Sequence, residues 1–253
     1  MTESLILKQV DQRVMTITMN RPKAKNALTL EMYDAMTAAL EEAASSDEIR
    51  VVVFKGLDKA FTAGNDLNDF MQNPPVNQDS PVMLFLKTLT TFAKPIIASV
   101  QGYAIGIGTT MLLHCDLVYC AEDAVFQMPF TKLALVPEAG SSLLLPALMG
   151  HRQAAEILFF SERFGPQQAK QWGIVNDVIE GDVDAYALDR AVALTKYAPQ
   201  SIRLTKQLLK ASQADLLQSV IEKEGAIFAD RLRSPELAES ISAFFEKREP
   251  NYE

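Results

Sequence analysis

Residues 5–10 and 14–19 alternate apolar and polar side chains around Asp11-Gln12-Arg13, the pattern of a β-hairpin. Arg21-Pro22 closes the second strand. Thr29 is placed to cap a helix over 30–44, whose inner face would carry Met32, Tyr33, Met36 and Leu40. The next apolar run, 51–54, is continuous, which suits a strand covered on both faces. Residues 73–81 are polar and proline-rich and read as a surface loop before a helix over 82–92. There follow a strand at 96–100, a helix from Gly106 to His114, short strands at 116–120 and 125–128, and a helix over 139–149. Beyond His151 the pattern is almost wholly helical, with breaks near Gly165, 173–181, Pro199 and Pro235. Strands alternating with helices, then helices alone, predict an α/β core with a helical C-terminal region.

At 253 residues the chain fits one large domain, or a domain with a helical appendage. With 48% apolar and 22% charged residues, it can build a sizeable core. A formal charge of −8 argues against nucleic acid as a partner, since a duplex needs a basic face. A local cluster of Arg21, Lys23 and Lys25 is still available for an anion. Cys115 and Cys120 are too few for a disulfide framework and lack companion ligands for zinc, so reduced thiols and no metal are expected. No apolar run approaches the ~18 residues of a membrane helix. The N-terminus lacks a secretory pattern and the C-terminus is no peroxisomal address, so a cytoplasmic location is expected.

Two glycine-bearing turns carry the candidate chemistry: Phe61-Thr62-Ala63-Gly64-Asn65-Asp66-Leu67 and Gly102-Tyr103-Ala104-Ile105-Gly106-Ile107-Gly108. Each follows a short apolar strand. Two such turns can aim backbone N–H groups at one spot, which is what an oxyanion developing on a carbonyl requires. Taken singly, either turn is better explained as a tight loop beside a sheet.

With Arg21-Pro22, Asn26-Ala27-Leu28, Lys94-Pro95, Cys115-Asp116 and Pro137-Glu138-Ala139-Gly140-Ser141-Ser142, these turns resemble the crotonase (enoyl-CoA hydratase/isomerase) superfamily over nearly the full length. The resemblance implies an α/β fold, a coiled ββα spiral core over 1–195 with a helical C-terminal trimerisation region over 196–253. It implies a homotrimer or dimer of trimers, with a coenzyme A thioester as substrate rather than cofactor. It assigns the oxyanion donors to the N–H groups of Ala63 and Ile107, although relatives often have glycine where Ile107 stands. It places adenine near Lys59, Ala60 and Phe61 and phosphates near Lys23 and Lys25. Solvated surface lysines explain the last two equally well.

Hydratases of the superfamily use two glutamates, whose positions here hold Thr110 and Phe130. Neither can move a proton, so ordinary hydration is disfavoured; Phe130 becomes a substrate-contacting wall instead. The Pro-Glu-Ala-Gly segment resembles the Δ3,Δ2-enoyl-CoA isomerase branch, in which the glutamate after the proline, here Glu138, shuttles the proton. A first-turn carboxylate favoured by a helix dipole is the other reading of Glu138, and it would lower the pKa where a shuttle base needs it raised. Asn65 and Asp66 are either substrate contacts or turn-forming side chains. Other crotonase chemistry (thioester hydrolysis, decarboxylation, ring-acyl isomerisation) and a non-catalytic acyl-CoA-binding scaffold are the alternatives.

Overall fold

The computed structural model describes residues 4–57, 60–73 and 78–253. The chain opens with the hairpin β1 (Ile6–Asp11) and β2 (Val14–Met19), paired antiparallel in full register. Helix α1 (Leu30–Ser45) follows, with the Thr29 hydroxyl accepting from the Met32 N–H. Then come β3 (Val51–Gly56), β4 (Ala60–Thr62), α2 (Leu67–Gln72), α3 (Pro81–Thr91), β5 (Ile96–Val100), β6 (Tyr103–Ile105) and α4 (Ile107–Thr110). β7 (Leu117–Ala121) and β8 (Val125–Gln127) complete the alternating part. The remainder is α5 (Ser141–Met149), α6 (His151–Phe160), α7 (Pro166–Gln171), β9 (Asp177–Ile179), α8 (Val183–Thr195), α9 (Pro199–Ala211), α10 (Ala214–Arg231) and α11 (Pro235–Glu246).

The strands form two sheets. Six are ordered β1-β2-β3-β5-β7-β9, parallel after the first pair, and β4-β6-β8 form a small parallel sheet. Each of the pairs β3–β4, β5–β6 and β7–β8 leaves the large sheet and enters the small one, so the backbone advances as a coil. The two glycine turns sit where the coil leaves the small sheet, after β4 and after β6. The continuous run 51–54 is explained by cover on both faces. Val52 and Phe54 pack toward α1 and α3, while Val51 and Val53 meet Val183, Ala187 and Ala191 of α8.

In detail the elements differ from expectation at several places. The helix expected over 139–149 begins at Ser141, because Ala139 and Gly140 take left-handed φ of 57° and 74°. β4, β6 and α2 carry too few residues each for a periodic signal and were not foreseen, whereas β8 of the small sheet falls on the strand expected at 125–128. The break expected at 173–181 holds β9, an edge strand beside β7. Part of the loop expected at 73–81 falls at 74–77, outside the described residues, and its end is already structured: Ser80 precedes α3 with Pro81 as first helical residue. Among the described residues, no helix is long and apolar enough to cross a membrane.

Candidate active site

The first turn is fastened to the segment before α1. The Thr62 hydroxyl donates to the Asn26 carbonyl at 2.6 Å, and the Gly64 N–H donates to the Thr62 Oγ1 at 3.1 Å. The Leu28 N–H donates to the Gly64 carbonyl and the Asp66 N–H to the Leu28 carbonyl, both at 2.8 Å. Gly64 has φ +91°, and a Cβ there would stand 2.8 Å from the Ile105 carbonyl oxygen of the other turn. Only glycine allows that backbone and that approach together.

The second turn is the junction of β6 and α4. Gly106, at φ 57°, donates its N–H to the Gln127 carbonyl at 2.8 Å. The Thr109 hydroxyl donates to the Ala104 carbonyl at 2.5 Å. Ile107 is the first residue of α4, and its N–H has no acceptor among the described residues.

Both turns line a cavity of about 400 Å³, through Ala63, Gly64 and Asn65 on one side and Ile105, Gly106 and Ile107 on the other. Phe130, Leu133 and Leu135 form a wall, and Phe228 of α10, Leu232 just past its end, and Leu237 and Ile241 of α11 form the cover. A smaller chamber of about 30 Å³ shares Asn65, Phe70 and Phe228 with it and contains Glu138. Glu138 is the one carboxylate among the described residues lining either space.

Glu138 is 9% exposed, and its Oε1 accepts a hydrogen bond from the Thr110 hydroxyl at the end of α4. Burial pushes its pKa up to about 8; the Thr110 bond opposes the rise and the nearby Glu224 carboxylate adds to it. The dipole argument does not apply, because α5 starts three residues later. The leading N–H groups there are taken by Glu224, whose carboxylate accepts from Gly140 at 2.6 Å and Ser142 at 2.9 Å. His114 holds the same segment from behind, donating from Nε2 to the Ala139 carbonyl at 2.7 Å. Burial lowers the His114 pKa to about 4, so the ring is neutral and its Nε2 carries the proton for that bond.

Ala63 is not a free donor, contrary to expectation. Its N–H is donated to the Lys25 carbonyl at 2.9 Å. Two residues on, the Asn65 N–H has no acceptor among the described residues, and Asn65 lines both spaces. Its side-chain Oδ1 accepts from the Tyr33 hydroxyl at 2.5 Å. Phe130 and Ile107 stand at the cavity as expected. Asp66 does not line it: its carboxylate accepts from Arg21 Nη1 at 2.7 Å and caps α2 through the N–H groups of Asn68 and Asp69.

Of the residues expected to meet coenzyme A, Ala60, Phe61, Lys23 and Lys25 line neither space. Ala60 and Phe61 are buried in β4, the Ala60 carbonyl accepting from Asn26 and the Phe61 N–H donating to Gln101. Lys23 and Lys25 are exposed and line neither space, and the Lys25 ammonium sits 4.6 Å from the centre of the Tyr103 ring. Lys59 lies outside the described residues. No three His, Cys, Asp or Glu side chains among the described residues converge where a metal would sit.

Glu224, Tyr33 and the bonding role of Thr110 were missed. A signal did exist for Glu224: it interrupts the apolar stripe Ile221, Gly225, Phe228 of α10 with a charge, and a charge on a buried stripe demands partners.

Known proteins with the same pattern agree with this architecture. The enoyl-CoA hydratase/isomerase family profile matches residues 9–253. The chain is 35% identical to the Escherichia coli (strain K12) 2,3-dehydroadipyl-CoA hydratase, over 100% of this chain and 99% of that one. It is 33% identical to rat (Rattus norvegicus) enoyl-CoA delta isomerase 2, over 96% of this chain but 64% of that longer protein. Among solved structures, an enoyl-CoA hydratase/isomerase from Pseudoalteromonas atlantica T6c superposes with a TM-score of 0.95 at 39% identity, covering 99% of this chain and all of that one. Pseudomonas aeruginosa OdaA does so at 0.93 and 45%, covering 96% and 99%. The chain belongs to the enoyl-CoA hydratase/isomerase family, the crotonase superfamily of acyl-CoA enzymes.

Proposed function

We propose that this protein moves a double bond in a 3-enoyl-CoA to the 2-position, with Glu138 as the single proton carrier. One observation carries the reading: Glu138 is buried beside the two turns, with no second carboxylate among the described residues lining either space. The Glu138 carboxylate takes a proton from C2. The dienolate oxygen so formed accepts from the N–H groups of Asn65 and Ile107, and the Glu138 acid then returns the proton to C4. An oxyanion donor of this kind is worth about 2.7–4 kcal/mol of barrier. Thr110 suits both charge states: its hydroxyl donates to the ionised carboxylate, and when Glu138 is protonated it can turn to the Gly106 carbonyl, 3.4 Å away.

Hydration, the activity named for the E. coli relative, needs acid–base work at two adjacent carbons. Thr110 and Phe130 occupy the places where a second carboxylate would stand. Glu224 cannot substitute for it, being bound to two N–H groups.

The test is the growth of conjugated-enoyl absorbance from a 3-enoyl-CoA. The wild type should convert it, and Glu138→Gln should be about 10²–10⁴-fold slower. Because the ionised form is the base, kcat/KM should rise with pH and level off above about 8. Release of free thiol would establish hydrolysis instead. Binding of acyl-CoA without any conversion would establish the scaffold.

A further inference from the structure

Gly225 stands in the interior of α10, with no left-handed φ to require it. Glycine there costs the helix about 1 kcal/mol relative to alanine. What it supplies is room. A Cβ at this position would fill space now open beside Met83 on α3, standing in van der Waals contact at 3.4 Å from both its Sδ and its Cε. Ile221, Glu224, Gly225 and Phe228 follow the i, i+3, i+4, i+7 spacing, so Gly225 shares the stripe that faces the Glu138 chamber. Val82, Met83, Leu86 and Ile221 close that chamber, and Glu138 and Asn65 are its only polar side chains among the described residues.

The direction of the acyl tail follows from the proposed isomerase reading, on which this inference rests. The coenzyme A arm must reach solvent through the larger cavity, while C2 to C4 must lie against Glu138. The tail therefore continues into the chamber of about 30 Å³, room for about two water-sized groups. We propose that Met83 and Gly225 form the end wall of the acyl site and restrict it to short, uncharged 3-enoyl thioesters. A longer tail has to displace Met83, an unbranched side chain that can swing but must leave its packing. A tail ending in a carboxylate would be stripped of water, with no cation among the described residues lining the chamber to meet it.

Two measurements test the wall. The first is kcat/KM for 3-hexenoyl-CoA relative to 3-decenoyl-CoA. The wild type should favour the shorter substrate at least tenfold. Met83→Ala should shrink that ratio at least tenfold, and Gly225→Ala should enlarge it while raising Tm through helix propensity. The second needs no turnover: dissociation constants of hexanoyl-CoA, decanoyl-CoA and the six-carbon dicarboxylic monothioester, by calorimetry. Hexanoyl-CoA should bind at least tenfold tighter than either. If no 3-enoyl-CoA is converted, the isomerase reading fails while the binding order still judges the wall. Equal binding of hexanoyl and decanoyl thioesters, equal binding of the dicarboxylic one, or an unchanged ratio in Met83→Ala would overturn it.

Discussion

The two turns reach the same cavity by opposite means. The first, 62–66, is loop held from outside, with its carbonyls, amides and the Asp66 carboxylate bonded to Arg21 and residues 25–28. The second, 105–107, is the start of a helix, and its free N–H is a consequence of helix geometry, since the first amides of any helix have no acceptor within it. The donor of the second turn is therefore intrinsic, whereas that of the first depends on which amide the neighbouring segment leaves unbonded. A loop tied by several bonds should resist catalytic tuning and respond to mutation by unfolding. A helix start should lose catalysis while keeping its fold.

The largest effects should separate the two. Ile107→Pro removes the N–H at a first helical position, where proline is tolerated. It should slow kcat about 10²–10³-fold, with a fall in Tm limited to the lost packing of the buried Ile107 side chain. Ala63→Pro removes an amide that is already bonded to Lys25, so its main effect should be a fall in Tm. Paired thermal melts and initial rates on the two variants decide the matter. Similar melting losses in both would erase the distinction.

This difference also explains what could be read in advance. Ile107, Glu138 and Phe130 lie at fixed offsets from a glycine pair or a proline, and local spacing carries such positions to their places. The choice between Ala63 and Asn65 turns on a bond to Lys25, which lies 38 residues earlier in the chain. No pattern within the turn contains that information. Gly64 adds to the difficulty, because its left-handed φ rotates the backbone between the two amides. Glu224 was further out of reach. It lies 86 residues after Glu138, and only the packing of α10 against α5 reveals that it, rather than Glu138, satisfies the leading amides of that helix.

A smaller effect should come from the link between the second turn and the base. Thr110→Val keeps shape and removes the hydroxyl that donates to the Glu138 carboxylate. That bond opposes the rise in the Glu138 pKa, so its loss should move the rise of kcat/KM to higher pH. A hydrogen bond to a charged group is worth about 1.5–3 kcal/mol, enough for roughly a tenfold loss at pH 7 that recovers in alkaline buffer. A uniform loss at every pH would mean that Thr110 acts by packing alone.

The smallest effect belongs to the outer tie of the first turn. Arg21 donates to Asp66 at 2.7 Å and to the Ala27 carbonyl at 3.0 Å, and the pair is partly exposed. Burial alone would raise the Asp66 pKa, but the Arg21 bond and the amides of Asn68 and Asp69 hold it below the ordinary carboxylate value. Arg21→Gln should cost about 1 kcal/mol, or about 2–4 °C in Tm for a chain of this size. A carboxylate with a depressed folded pKa contributes its stability above the unfolded value and loses it as pH falls through the folded one. The gap between wild type and Arg21→Gln should therefore be full at pH 7 and narrow below about pH 4. Melts from pH 7 to pH 3 read it directly. A gap that stays constant to the acid end would show that Arg21 steadies the turn through Ala27 and not through its charge.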